Sequence, residues 1–339
     1  MVRRYLRLLS SVAVLLLLTV SVAACGTEEG AASDAGSSSA EVETTSATAT
    51  ESATPAADAG GEMPDVVRIG LIPGENSEEV LKRYRPIEPW LEEQLSADVE
   101  LFIGTDYSAT IEALKSGRVD AAFLNPFGYI LAVDQGAAEL LLGPMDPETG
   151  ELSHYHSTIV TRADSDIQSL EDLRGKDFGF VDPASTSGHL IPEAGLKQAG
   201  IDPWTDIKPV YAGGHDVTAL SVYNGTLPAA AVYAGTDENN PLDGGMIDRL
   251  AEAGQVEKDA YRVLWVSDPI PSGPFVVRPD APQVLKDRLK AVLLQVNDSP
   301  EMLEILGEGY IEATDDYWDV LRDAAKLLGL DLKELVNEG

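Results

Sequence analysis

A single cysteine, Cys25, serves a chain of 339 residues, so no disulfide can form within it. Positive charge is scarce as well. Lysine and arginine total 24 against 57 aspartates and glutamates, a formal net charge of −33. That balance argues against a nucleic-acid partner, because a phosphate backbone is met by a basic face. A small anionic ligand stays open, since local donors decide its binding and the global field mainly slows its approach. Familiar nucleotide-binding, zinc-protease and serine-hydrolase signatures are also missing: there is no GxxxxGK(S/T), GxGxxG, HExxH or GxSxG.

What is present begins at the first residues. Arg3, Arg4 and Arg7 precede an apolar stretch over residues 8–22, which ends in Val22-Ala23-Ala24-Cys25. This layout reads as a secretory signal over residues 1–24, too short and wrongly flanked for a membrane-spanning helix. Small residues before a cysteine resemble a lipobox, in which the cysteine is diacylated and becomes the new N-terminus. The other reading, a free cysteine discarded with the signal, fits its position less well. One lipidated end, at Cys25, would hold the protein at the outer face of the cell membrane after export. The twin arginines have no Ser or Thr before them, which leaves Sec and Tat export both open. Residues 25–63 carry almost no large apolar side chains, so they cannot offset their ordering entropy and read as a disordered tether. About 275 residues remain, enough for two lobes of ordinary size.

In that remainder short apolar runs alternate with amphipathic ones. Strands are predicted over residues 66–72, 99–103, 119–124, 139–142, 155–161, 177–181, 207–211, 229–233, 262–266 and 275–278. Helices are predicted over 77–95 (broken or kinked by Pro86 and Pro89), 106–115, 126–135, 170–173, 187–199, 217–223, 246–253 and from 282 onward, with breaks near Pro300 and Gly309. Repeated alternation of this kind gives an α/β fold with mostly parallel sheets.

Two strand-to-helix junctions could carry chemistry. Asp182-Pro183-Ala184-Ser185-Thr186-Ser187-Gly188 sets three hydroxyls before a helix. The first N–H groups of a helix lack partners and carry partial positive charge, so an anion fits there and hydroxyls add donors. A plain N-cap needs only one of the three. Gly213-Gly214-His215-Asp216 forms the second junction, where the imidazole could donate to the same ligand; a capping or packing histidine is the plainer alternative. In open α/β sheets ligands sit beyond the carboxyl ends of the strands. His154 and His156 share one face of a strand, but a zinc site needs a third ligand and no cysteine is left in the mature fold, so no metal and no cofactor is expected. A hydrolase using Ser185 or Ser187 with His215 and Asp216 is a weak reading, because Asp216 adjoins His215 and need not face it.

The run Asp106-Tyr107 before Ile111-Glu112-Ala113-Leu114-Lys115-Ser116-Gly117-Arg118-Val119-Asp120-Ala121-Ala122 resembles the phosphate/phosphite/phosphonate substrate-binding family of ABC transporters. So do residues 182–188, 213–216 and Ser267-Asp268-Pro269-Ile270-Pro271. The likeness spans roughly residues 66–330. It implies a two-lobe type II periplasmic-binding-protein fold, α/β throughout, with two hinge crossings near residues 157–161 and 266–271 and a ligand cleft. Residues 64–157 with 268–339 would form one lobe and 158–267 the other. It implies that Tyr107, Tyr155, Ser185, Thr186, Ser187 and His215 hold the oxyanion, that a membrane permease is the partner, and that the protein is a monomer and not an enzyme. Two acids that take a ligand ammonium in aminoalkylphosphonate binders of the family are replaced here by Tyr233 and, in the run Ile270-Pro271-Ser272-Gly273-Pro274, by Gly273. Tyr233 would then narrow the cleft, and phosphite or a short alkylphosphonate would be preferred to aminoethylphosphonate, unless Asp237, Glu238 or Asp268 reaches the amine. An extracytoplasmic ligand sensor for a membrane partner is the main alternative.

Lipidation has a direct check. Mass spectrometry of protein from its native membrane is expected to find no peptide spanning Ala24 and Cys25. An intact, unmodified junction in membrane-associated protein would overturn the anchor.

Overall fold

Runs of β-branched and aliphatic residues form the strands, in keeping with their fit to a pleated surface. The computed structural model describes residues 61–330 and residue 332. The export signal, Cys25 and most of the expected tether lie outside the described residues. The described strands are β1 (Val66–Leu71), β2 (Asp98–Ile103), β3 (Ala121–Phe123), β4 (Glu139–Met145), β5 (His154–Arg162), β6 (Asp177–Phe180), β7 (Lys208–Tyr211), β8 (Ala229–Ala234), β9 (Tyr261–Val266), β10 (Ile270–Pro271), β11 (Phe275–Val277) and β12 (Gly309–Ile311). They build two sheets. One runs β12-β4-β11-β3-β1-β2; the other runs β10-β5-β8-β6-β7, with β9 also paired to β5. The two lobes of the fold are built on these two sheets.

The expectation of mostly parallel sheets is corrected. Only β1–β2, β1–β3, β6–β7 and β6–β8 are parallel; the other six pairings are antiparallel. Strand–helix–strand units keep their direction. The chain, however, leaves the first sheet after β4, builds the second, and returns to add β11 and β12 in the opposite sense. The outward and return crossings lie side by side. Ile270 pairs with Tyr155 and Pro271 with His154. The Ser157 and Ser267 main chains join through a 2.9 Å bond from Ser267 N–H, and the Ser267 hydroxyl accepts from Ser157 N–H at 2.9 Å.

Helix boundaries follow from backbone donors. The predicted helix over 77–95 is two, Ser77–Tyr84 and Ile87–Leu95, divided at Pro86. Pro89 survives because it sits in the first turn of the second, where its missing N–H has no intrahelical role. The segment predicted as one helix over 187–199 starts with a wide, π-type turn at Thr186–Leu190 and becomes α-helical at Ile191–Gln198. Pro192 has no N–H to give to the Gly188 carbonyl, and that carbonyl accepts from Val181 N–H at 3.0 Å instead. Gly188 is required there, since a β-carbon would come within 2.3 Å of the Val181 side chain. The predicted break near Gly309 is a strand, β12, paired to β4.

Each sheet carries its own core. Val67, Ile69, Leu142, Phe275 and Leu289 are buried against the first, and Ile159, Phe178, Phe180, Leu196 and Ile207 against the second. Each such side chain contributes about 1.5–3 kcal/mol on full burial. A third cluster draws on both lobes, joining Tyr107, Tyr129, Trp318 and Leu321 to Val181 and Leu190. The loops that follow β3, β4, β6, β7 and β8, with the start of the helix after β2, meet around one cleft.

Candidate functional site

The cleft has a volume of about 760 Å³, and Tyr107, Tyr155, Ser185, Thr186, Ser187, His215 and Tyr233 all line it. Asp106 caps the following helix, accepting from Ala109 N–H at 2.7 Å, and so sets Tyr107 at the first helical position. Tyr155 stands on β5 at the crossing between lobes.

The Ser185-Thr186-Ser187 turn is tied down on every side. Ser185 caps the π-type turn by accepting from Gly188 N–H at 3.2 Å. The Ser187 carbonyl accepts from the Ser157 hydroxyl at 2.7 Å. Thr186 reaches across the cleft: its hydroxyl oxygen accepts from Phe127 N–H at 2.8 Å and from the Asn125 amide at 3.0 Å. The same amide donates to the Ala184 carbonyl at 2.8 Å. A hydroxyl has two acceptor sites and one proton. Both acceptor sites of Thr186 are filled, which leaves it only a proton to offer. Asp182 reinforces the contact, accepting from Ala184 N–H at 2.7 Å and from Tyr107 N–H of the other lobe at 3.5 Å.

His215 opens the helix His215–Tyr223 rather than preceding it by two residues. Its Nδ1 accepts from Tyr233 N–H at 3.2 Å, and its own N–H donates to the Gly74 carbonyl of the other lobe at 2.8 Å. Burial pushes the imidazole down to about 3, so it is neutral at physiological pH. With Nδ1 accepting, the proton sits on Nε2, and that nitrogen is a donor. Tyr233 lies against the imidazole, 5.1 Å between ring centres. Its hydroxyl meets the Arg249 guanidinium at 3.1 Å, and Arg249 in turn pairs with Glu75 across the cleft at 2.8 Å.

The electrostatics of the cleft run on dipoles. Among the described residues no lysine or arginine lines it, whereas Asp146, Glu148, Asp237, Asp243 and Glu308 do. Desolvation pushes the Tyr155 phenol up to about 12 and raises Tyr107 further, so both stay protonated. The Ser187 and Thr186 hydroxyls stand against Tyr155, and that of Ser185 against Tyr107. Desolvation also raises the Asp182 carboxyl, against the pull of the two N–H groups bonded to it.

The hydrolase arrangement does not assemble. Asp216 accepts from Asn76 N–H at 3.1 Å, and the His215 Nδ1 that an orienting acid would need is taken by Tyr233 N–H. The histidine pair on β5 gathers no third ligand: among the described residues no cluster of three metal-ligating side chains occurs. Sequence reasoning missed Asn125, Glu75 and Arg249. Asn125-Pro126, a cap followed by proline at the first helical position, was the one local signal available for them.

A profile of the family described as ABC transporter, phosphonate, periplasmic substrate-binding protein matches residues 69–318. The chain belongs to this family. It is a family of substrate-binding transport proteins, not of enzymes. The chain is 35% identical to the phosphate-import protein PhnD of Mycolicibacterium smegmatis over 243 residues, covering 69% of this chain and 72% of that one. It is 26% identical to the phosphonates-binding periplasmic protein of Escherichia coli, covering 75% and 74%. The binding-protein component of an ABC phosphonate transporter from Pseudomonas aeruginosa superposes with a TM-score of 0.66 at 25% identity, over 78% of this chain and 86% of that one.

Of the two positions where the resemblance implies a missing acid, 273 has a packing reason to be glycine. A β-carbon at Gly273 would fall 1.9 Å from the Leu124 carbonyl oxygen, so no acid can stand there without moving the backbone. Of the acids considered as substitutes, Asp237 lines the cleft, but its carboxylate is bonded to Asn239 and Asn240 of its own loop.

The depressed histidine predicts a pH dependence. Between the unfolded value near 6.5 and about 3, the unfolded chain binds a proton that the folded one refuses. Stability is therefore fully present above about 6.5 and falls as pH drops through that window, by up to about 1.4 kcal/mol per pH unit from this group. Nitrogen NMR of His215 is expected to show a neutral ring protonated at Nε2 at pH 5; an imidazolium there would contradict the assignment.

Proposed function

We propose that the protein is the exported, lipid-anchored binding component of an ABC importer and captures a small phosphorus oxyanion, a phosphite, alkylphosphonate or phosphate, between its lobes. The observation that carries this reading is the proton inventory of Thr186. With both lone pairs taken by N–H groups from the opposite lobe, it has only an O–H for the ligand. His215 offers only Nε2–H for the same reason. Tyr107, Tyr155, Ser185 and Ser187 add neutral hydroxyl donors. Such a site matches a ligand whose surface is all acceptor, and donors fixed in advance stabilise charge without a counter-ion. The relatives' names, one for phosphate import and one for phosphonates, support the class.

In this reading Cys25 carries the lipid and residues 25–63 tether the lobes to the membrane. Residues 64–157 with 268–339 and residues 158–267 act as the two lobes, and the monomer meets a permease with no metal, cofactor or nucleic acid. Tyr233 closes the far side of the site. Tyr233, which stands where the resemblance expects an acid, offers no charge to the cleft, and the Arg249 that bonds its hydroxyl is already paired with Glu75, which supports a ligand without an ammonium group. An ammonium brought into the cleft would lose hydration that no free carboxylate at residues 233 or 273 restores.

Competitive calorimetric titration tests this selectivity. Methylphosphonate is expected to bind at least tenfold more tightly than aminoethylphosphonate. Tighter binding of aminoethylphosphonate would show that a carboxylate of the cleft does reach the amine.

A further inference from the structure

Glu308 lies between the helix Pro300–Leu306 and β12. It lines the oxyanion cleft and also a second cavity of about 270 Å³. The two cavities share Asn125, Tyr155, Ser272 and Glu308. Asn125 bonds the Thr186 hydroxyl, and Tyr155 stands against it. The second cavity therefore opens beside the proposed oxyanion anchor. Leu71, Ile72, Val80, Phe123 and Leu124 give it apolar walls, and Tyr84 and Glu308 bring in polar groups.

The Glu308 carboxyl makes one hydrogen bond among the described residues, from the Tyr310 hydroxyl at 3.4 Å. Tyr84 faces it from the helix Ser77–Tyr84, and Arg83, Arg249 and Glu75 lie near that tyrosine. Burial pushes the carboxyl up to about 8, so at neutral pH it offers a donor and an acceptor and no charge.

We propose that this side pocket takes the carbon substituent of the ligand and that Glu308 reads its far end, selecting short organophosphonates whose chain is apolar and ends in an uncharged hydrogen-bonding group. The inference rests on the oxyanion reading above. At ~30 Å³ per water-sized group the pocket has room for about nine such groups, so a chain of three or four carbon atoms with a terminal hydroxyl or carbonyl fits within it. Each methylene buried among the aliphatic walls should tighten binding about fourfold. A terminal carboxylate would place a second negative charge beside an acid. An ammonium would have to displace the Glu308 proton and lose its own water.

The test uses the full chain, titrated calorimetrically near pH 7 with phosphate, methylphosphonate, propylphosphonate, butylphosphonate, hydroxypropylphosphonate and aminopropylphosphonate. The same series is run on Glu308→Gln and Glu308→Leu. Affinity ratios within each protein are read, because a general effect on folding or closure cancels in them. Propylphosphonate, two methylenes longer, is expected to bind about fifteenfold more tightly than methylphosphonate. Hydroxypropylphosphonate should be preferred over its isostere butylphosphonate in the native protein and in Glu308→Gln, with the preference reversed in Glu308→Leu. Equal binding of methyl- and propylphosphonate in the native protein would overturn the pocket. An unchanged hydroxyl preference in Glu308→Leu, or aminopropylphosphonate as the tightest native ligand, would overturn the role of Glu308. Failure of every ligand, phosphate and methylphosphonate included, would overturn the oxyanion reading itself and this inference with it.

Discussion

The molecule turns on one oxygen atom. The Thr186 hydroxyl accepts from Phe127 N–H and the Asn125 amide, and through these two bonds the loop after β6 is fixed to the loop after β3. Around that contact the lobes close on other pairs of the same kind. Asp182 reaches the Tyr107 N–H, His215 N–H reaches the Gly74 carbonyl, and Arg249 reaches Glu75. Each joins a group of one sheet's loops to a group of the other's. The bonds that join the lobes thus also fix which protons are left over to face the cleft.

Charge plays a secondary part in that construction. The chain is strongly acidic, and among the described residues no cation lines the cleft. In the proposed reading an anion there would meet hydroxyls and an imidazole N–H placed before it arrives. Fixed dipoles in a site stripped of water act more strongly than they would in solution, and they need no reorganisation on binding. The buried phenols and the neutral imidazole follow from the same economy, since burial suppresses ionisation and keeps each donor's proton in place. Two of the carboxylates around the opening are already engaged, Asp237 within its own loop and Asp243 with Lys258.

Local sequence carried much of this. The hydroxyl turn at residues 185–187, the Asp106 cap before Tyr107 and the glycines before His215 are readable because each acts within a few residues of itself. The strand–helix alternation was legible for the same reason. The sheet directions were not, because the return of the chain as β11 and β12 is a matter of topology and not of periodicity. Nor could the sequence tell that Gly188 packs against Val181, or that Leu124 excludes any side chain at position 273. Asn125 lies 61 residues from Thr186, and Glu75 lies 174 from Arg249. Pairings at such separations leave no local trace, and they are the ones that join the lobes.

The central claim is that Thr186 both locks the lobes and donates its proton to the ligand. Calorimetry of methylphosphonate binding to Thr186→Val and Thr186→Ser measures it directly. Valine keeps the shape and removes the hydroxyl; serine keeps the hydroxyl. A hydrogen bond to a charged ligand contributes about 1.5–3 kcal/mol, so Thr186→Val should bind roughly ten- to a hundredfold more weakly, with Thr186→Ser close to the native protein. Binding by Thr186→Val within about twofold of native would contradict the account.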